Sequence, residues 1–558
     1  LGVLLGDNTQ KALRLAASKL SNYNSLDLAA VCSQLSALEV HQQSTTPVPP
    51  YYSIFNAEKV SLLCKAFLAS ESNQGRKTPF DPHRLSQILN LLRDATNWRP
   101  FEGIENPTEH DLQWFATIIS NAQFPYQHQN ILHEFARNYV LYVLLPQQYK
   151  TELKNKYVTK YVDIPIVFKT TYKISIYTMY RIALIIYIGY NRMQQAHFNI
   201  PEDVYALMLS KDGRTPDALQ VFMDFITTAL FYSPRSKFIF RPNAVKLEGF
   251  GGVENKMVKH FLALFSRSKH ELHQLQYNRD FSKGHPNTTV SPLGLYPILK
   301  FEKSLYVVPN HRYFIEAMSN AVHFLLQRAY PKNEFNQNFG TVFEKYPLKV
   351  LRNRLPHLIV IPECSYGKPQ REGPDITIID TKAKRLILVE AKAKRFSVDS
   401  RLGESKESVK RDLHASYTAL KNLQKKHADL FAGVAEYAQW QKRLNQCQNS
   451  TPVFAIILYG KYHLLADLDA SMLKTEKDHP LRDFETPYCL LPINLFEKAV
   501  EIAKHTGRSL VNIFENYSQQ ARQTGPGATS AELFDNESTD IEDHFLNDYV
   551  KQLIGLEG

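Results

Sequence analysis

Cysteine is scarce: the 558-residue chain holds five, Cys32, Cys64, Cys364, Cys447 and Cys489. The number is odd, the residues lie far apart, and none sits in a CxxC pair or has a histidine at zinc spacing. That excludes a disulfide scaffold and a structural zinc module, and makes a reducing, cytoplasmic setting the expectation. Long hydrophobic runs are also missing. The most apolar stretch, Ile174 to Tyr190, is broken by Arg181 and falls short of the roughly 20 residues a spanning helix needs. A buried helix is expected there, and no membrane partner. Leu1 to Leu5 lacks the basic and apolar regions of a secretory signal, so export is not expected. No GxxxxGKS/T loop occurs, which excludes an intrinsic P-loop motor, and no fixed-period repeat marks a solenoid.

Positive charge is in excess. Lysine and arginine number 66 against 55 aspartate and glutamate, a formal net charge of +11, and such a balance attracts polyanions, nucleic acid among them. Hydrophobic content of 44% is ordinary for a globular protein, and the length predicts two or three domains.

The fold class expected is α+β overall, a mostly helical N-terminal half followed by an α/β domain with a central mixed sheet flanked by helices. Residues 1–285 read as a largely helical recognition or regulatory region. Leu13, Ala16, Ala17 and Leu20 recur at helical spacing, as do Leu28, Val31, Leu35 and Leu38. Ser44 to Pro50 reads as a connector. Asp81-Pro82 and Thr215-Pro216 set a capping side chain before a proline suited to a first helical turn, and Thr108 with Asp111 resembles a capping arrangement. The polar stretch Tyr277 to Pro292, with Lys283 to Asn287 as an exposed loop, marks a boundary. Residues 286–330 supply a connecting strand, Leu305–Val308, and a helix, Tyr313–Ala329. Over 331–520 a helix from Phe335 is followed by strands at Leu358–Ile361, Asp375–Ile379 and Leu386–Lys394. Helices between Lys406 and Leu444 precede a strand at Val453–Tyr459, a short strand near Cys489–Pro492 and a helix through Lys504, giving an α-β-β-β-α-β order. Residues 521–558, rich in glycine, serine and acid, read as a flexible acidic tail.

The chemistry concentrates where Gly373-Pro374-Asp375-Ile376-Thr377-Ile378-Ile379-Asp380 leads through a turn into Arg385-Leu386-Ile387-Leu388-Val389-Glu390-Ala391-Lys392. Alternation along a strand puts Leu386, Leu388, Glu390, Lys392 and Lys394 on one face and Ile387, Val389 and Ala391 on the other. If the two strands pair as a hairpin, Asp375 comes level with Glu390, and two carboxylates converge beside an ammonium. Carboxylate oxygens suit Mg²⁺, a hard cation that binds through one or two such groups and substrate phosphate. An acid ending the apolar run Leu386–Val389 would otherwise be desolvated without a reason.

Pro374-Asp375 followed by Glu390-Ala391-Lys392 resembles the signature of the PD-(D/E)xK nuclease superfamily, the restriction-endonuclease-like fold. The resemblance spans roughly Pro331 to Tyr517. It implies a Mg²⁺-dependent nuclease, with Mn²⁺ able to substitute, hydrolysing phosphodiester bonds of nucleic acid, DNA being the expected substrate. It also implies catalytic roles for Asp375, Glu390, Lys392 and Glu344, and metal at Asp375, Glu390, Ala391 and Glu344. Glu344 enters because similar nucleases carry a glutamate on the helix before the first core strand. It lies beside the stripe Phe339, Phe343, Tyr346 and Val350, although Pro347 is expected to kink or end that helix. The basic stretch after the motif supplies Lys394, Arg395, Lys410, Arg411 and Gln424 as candidate phosphate contacts. His128 and His133 do not share a helix face, and His357 and His414 read as structural or exposed. An architecture of this kind resembles bacterial restriction or anti-phage effectors, in which a sensing half controls a nuclease half, with a homo-oligomer or accessory protein engaged through the helical half. The alternative expectation is a catalytically silent nucleic-acid-binding or assembly subunit of the same fold.

Overall fold

The computed structural model describes residues 7–45, 57–72, 75, 78, 87–88, 91–92, 131–157, 160–195, 238–245, 253–276, 291–330, 334–366, 371–393, 406–431, 435–460, 479–523 and 543–555. The cap signals at Asp81-Pro82, Thr108–Asp111 and Thr215-Pro216, and the loop Lys283–Asn287, lie outside them.

The N-terminal helices follow the apolar spacing: α1 (Asp7–Leu20), α2 (Ser25–Thr45) and α3 (Ala57–Ala69). Asn24 starts α2 by accepting the amide of Leu26 at 2.9 Å, and the helix takes in Ser44 and Thr45, the first two residues of the expected connector, whose remainder lies outside the described residues. Next come α4 (Ile131–Tyr139), extended by a π-helical turn at Val140–Leu144, then α5 (Lys150–Lys156), α6 (Ile164–Tyr172) and α7 (Ile176–Gln195). In α7 the apolar run is buried as anticipated, and among the described residues no helix is long and apolar enough to cross a membrane.

A small sheet follows α8 (Asn255–Phe265). Strand β1 (Ser266–Ser268) pairs in parallel with β2 (Ile298–Phe301), which pairs antiparallel with β3 (Leu305–Val307), and α9 (Lys269–Gln276) lies between the first two in sequence. The boundary drawn at residue 285 therefore falls between strands of one sheet. The next helix, α10 (His311–Ala329), begins where Asn310 Oδ1 accepts the amide of Tyr313 at 3.0 Å.

The long helix α11 (Glu334–Arg354) leads into the main sheet. Its strands are β4 (Ile359–Pro362), β7 (Ile376–Asp380), β8 (Arg385–Lys392), β9 (Val453–Leu458) and β10 (Tyr488–Pro492), while β5 (Ser365–Tyr366) and β6 (Arg371–Glu372) form a separate hairpin. The order is β10-β9-β8-β7-β4. The β4, β7 and β8 strands form an antiparallel meander, and β8, β9 and β10 run parallel. The sequence between β8 and β9 supplies α12 (Lys406–Leu430), the crossover that parallel pairing demands. After β10 come α13 (Ile493–Thr506), α14 (Leu510–Gln523) and α15 (Asn547–Ile554).

Burial on both faces explains why β8, β9 and β10 read as nearly continuous apolar runs rather than alternating ones. Leu386 and Leu388 enter a core with Leu413, Leu420 and Leu423 of α12; Ile387, Val389 and Ala391 enter a second core with α11, α13 and α14. That second core also takes Phe135, Tyr142, Phe168 and Tyr180 of the helical half, so the apolar interior is continuous between the regions expected to be separate. It also takes Phe545, Leu546, Val550 and Leu553. The segment 521–558 was expected to be a flexible tail, yet its residues 543–555 pack back on the core, Phe545 and Leu546 just before α15 and Val550 and Leu553 on the buried face of that amphipathic helix.

Candidate active site

Two strands and two helices bring the charged residues together. The register that pairs Ile376 with Val389, carried one residue further, sets Asp375 opposite Glu390. Directly opposed residues in a sheet share a face, and this is the face covered by α12, since Leu388 two residues before Glu390 packs there. Asp375 Oδ2 accepts the backbone amide of Ala391 at 2.7 Å, which clips the start of β7 to the end of β8. Just upstream, Gly373 leaves no room for a side chain: a Cβ would overlap the Tyr437 hydroxyl and stand 2.9 Å from the carbonyl oxygen of Cys364.

Glu390 is buried, 4% exposed, and both its oxygens are engaged by ammonium groups. Lys392 Nζ donates to Oε2 at 2.6 Å; Lys426 Nζ, from α12, donates to Oε1 and also to the Gly373 carbonyl at 2.7 Å. Glu344 sits, partly buried, at the edge of the buried stripe of α11. The helix continues through Pro347, contrary to the expected break, because Phe339, Phe343, Tyr346 and Val350 on its inner face are completely buried and hold its course.

Electrostatics tie the four motif residues into one centre. Burial, followed by repulsion from Glu390 and Glu344, pushes the Asp375 carboxyl up to about 8, against the opposing pull of Lys392. Burial and the nearby Glu363 push Glu344 up to about 7, opposed by Lys156 and Lys392. Burial disfavours the charge on Lys392, but Glu390 and Asp375 hold its ammonium above the ordinary value. Lys156 is likewise held up, despite burial, by Glu344, Glu363 and Glu372. It ends α5, which is fastened alongside α11 by Tyr157 Oη to Thr341 Oγ1 at 2.8 Å and by Lys345 to Glu152 at 2.6 Å. The helical half therefore contributes a cation to this neighbourhood.

The hard oxygen donors match a divalent cation in kind, and mutual repulsion of half-buried carboxylates is relieved by such an ion. Among the described residues, no three acidic, histidine or cysteine side chains stand close enough together to hold one as they lie, Glu390 being turned to its two lysines.

The candidate phosphate contacts are dispersed. Lys394 and Arg395 lie outside the described residues. Lys410 belongs to the first turns of α12, with its side chain outside what is described; Arg411 and Gln424 are exposed on that helix. Two residues correspond to about 200° around a helix, so Gln424 faces away from the side on which Lys426 meets Glu390. Arg385, at the far end of β8, is paired with Glu515 at 2.5 Å and donates to the Thr451 carbonyl. His357 and His414 are exposed. Lys426 and Lys156 were not singled out from sequence. A signal existed for the first: it falls between Leu423 and Leu430, at the spacing of the sheet-facing, apolar side of α12.

No protein-family model matches the chain, and neither a curated protein nor a solved structure matches it.

Proposed function

We propose that the chain is a divalent-metal-dependent phosphodiesterase acting on nucleic acid, DNA being the expected substrate, and that residues 334–523 form a restriction-endonuclease-like core of the PD-(D/E)xK type. The observation that carries this reading is the opposition of Asp375 and Glu390 on one sheet face, sharing it with Lys392 at the cost of mutual repulsion in a half-buried site. Structural carboxylates are not normally gathered this way; functional ones are. The order of α11, the β4-β7-β8 meander, α12 and β9 laid parallel to β8 also supports it.

Asp375, Glu390 and the Ala391 carbonyl would hold Mg²⁺ or Mn²⁺, with Glu344 as the neighbouring acid. When bound, such an ion polarises the phosphate and makes water a stronger nucleophile. The chain's own part is to fix the geometry. The Ala391 amide orients Asp375, the packed meander keeps both acids on one face, and Lys392, charged and 39% exposed at its side chain, is placed to stabilise negative charge gathering on a phosphate.

The engagement of both Glu390 oxygens by lysines favours the second reading, a silent nucleic-acid-binding subunit. A plasmid-nicking assay on the full chain separates the two. With Mg²⁺ or Mn²⁺ present, wild type is expected to nick, EDTA to stop it, and Asp375→Asn or Lys392→Ala to lower the rate by about 10²-fold or more while leaving binding and fold in place. Equal nicking by both variants and wild type would remove the centre from the chemistry, and salt-sensitive binding without any nicking would establish the silent subunit.

A further inference from the structure

The candidate centre includes a lysine, Lys426 of α12, that the PD-(D/E)xK signature does not contain. We propose that Lys426 is a built-in competitor of the divalent cation: its ammonium holds Glu390 and must be displaced for the ion to bind, so that this lysine sets the ion concentration at which the centre becomes competent. The inference rests on the metal-dependent reading above.

Three observations support it. First, Lys426 occupies a helical position whose neighbours at matching spacing, Leu423 and Leu430, are buried against the sheet, so an apolar residue would serve packing better there. Second, its ammonium is less exposed than that of Lys392, 19% against 39% for the side chains, and it bridges Glu390 Oε1 to the carbonyl of Gly373. It therefore joins the strand that carries one acid to the residue just before Pro374-Asp375, which carries the other. Third, Glu390 is nearly without solvent, so as a carboxylate it needs a cation facing it, an ammonium or a metal ion.

A divalent ion and an ammonium cannot share one carboxylate oxygen at contact distance without strong repulsion. One lysine must yield. Lys392 is bound to its place by the strand, two residues from Glu390 on the same face. Lys426 reaches across from the helix on a flexible four-carbon stem and has a second acceptor, the Gly373 carbonyl, on which to rest once Glu390 turns away. The energetics of ion binding therefore include the loss of the Lys426–Glu390 pair and the approach of like charge.

The test is Mn²⁺ binding to the full-length protein by titration calorimetry, with folding followed by circular dichroism melts. Lys426→Met, which keeps the stem and removes the charge, is expected to bind Mn²⁺ about tenfold more tightly than wild type, while Lys426→Arg stays close to wild type. Lys426→Gln retains a donor for the Gly373 carbonyl without the charge; it gives the same tightening and serves if the methionine variant does not fold. Unchanged or weaker Mn²⁺ binding in a folded, uncharged variant would overturn the inference while leaving the metal centre standing. No Mn²⁺ binding by wild type or any variant would overturn the metal-dependent reading itself, and this inference with it.

Discussion

Asp375 and Glu344 have carboxyls whose protons are held more tightly in the folded chain than in the unfolded one, with values raised to about 8 and about 7. The sign of the consequence follows from proton counting. Between the ordinary carboxylate range and these raised values the folded chain binds more protons, so stability falls as pH rises through that window. Removing the ability to ionise should therefore stabilise the protein on the alkaline side. Asp375→Asn is expected to melt higher than wild type at about pH 8 and to differ little at about pH 5, and solvent reaching this half-buried site limits the gain to about 1 kcal/mol. The amide retains an oxygen for the Ala391 amide, so the local clip survives. A thermal melt series across pH reads the effect directly; a variant less stable than wild type at both pH values would mean that Asp375 is held for structural reasons. Stabilisation bought by loss of a charged group is the mark of a residue kept for chemistry rather than for the fold.

The β7–β8 hairpin is the element on which the centre depends. Its turn is organised by Asp380, whose Oδ1 accepts the amides of Lys382 and Ala383, each at 3.0 Å, and whose Oδ2 accepts the Ser509 hydroxyl at 2.7 Å from the start of α14. Lys384 completes the turn with a left-handed backbone, φ 52°. This end of the hairpin lies opposite to Asp375 and Glu390, but it sets the register, and a one-residue slip would send Glu390 and Lys392 to the other face of the sheet. Asp380→Ala leaves three donors without their acceptor and is expected to cost about 2–3 kcal/mol, seen as a lower denaturant midpoint, with Asp380→Asn recovering part of it. If the alanine variant matches wild type in stability, the turn is held by packing alone. The strand pair was legible in sequence because two short, β-branched-rich apolar runs joined by a polar turn carry acids at the ends that a hairpin brings together. Other parts of the same region were harder to read. Proline at 347 signals an interruption locally, and only the surrounding packing on Phe339, Phe343 and Tyr346 reveals that the helix persists. Lys426 resembled any member of a basic run until α12 was laid against the sheet.

At the scale of the whole molecule the two halves are joined by buried charge as well as by the shared core. Arg137 of α4 forms a fork on Glu497 of α13, Nε to Oε1 at 2.6 Å and Nη2 to Oε2 at 2.5 Å, and Tyr346 of α11 donates to the same Oε1 at 2.6 Å. Nearby, Tyr142 in the π-helical turn meets Tyr459 at 2.6 Å between hydroxyls, and the Tyr459 amide donates to the carbonyl of Lys392 at 3.1 Å. The helical half is thus connected through one tyrosine pair to the strand end that carries a candidate catalytic lysine. None of this was readable from the chain, because such pairs join residues far apart in sequence, more than 300 positions for Arg137–Glu497 and Tyr142–Tyr459, and leave no local period. Nor was the docking of the C-terminal segment. There the interface is built on histidine: His133 of α4 stacks on His544 with centroids 4.0 Å apart, and His133 Nε2 meets Asn547 Oδ1 at 2.7 Å. Burial, reinforced by His133, Arg137 and Arg354 and opposed by Asp543, brings His544 down to about 2; burial likewise lowers His133, against Asn547 and Glu497. Both folded values lie below the ordinary one, so the undocked state takes up protons as pH falls through that ordinary value, and docking is complete above it and weakened below it. Amide hydrogen exchange over residues 545–553, corrected for its intrinsic pH dependence, is expected to be slow at about pH 7.5 and markedly faster at about pH 5. His311, fully buried and lowered to about 3, adds a separate acid sensitivity, but through a different core at Ser33, so a segment-resolved measurement distinguishes them. His544→Phe keeps a ring for the stack and cannot take up a proton; with His133 alone left to titrate, it should keep more of the segment's protection at acid pH than wild type does. Equal protection of the wild-type segment at acid and neutral pH would show that its four apolar anchors, not the histidine pair, govern its release.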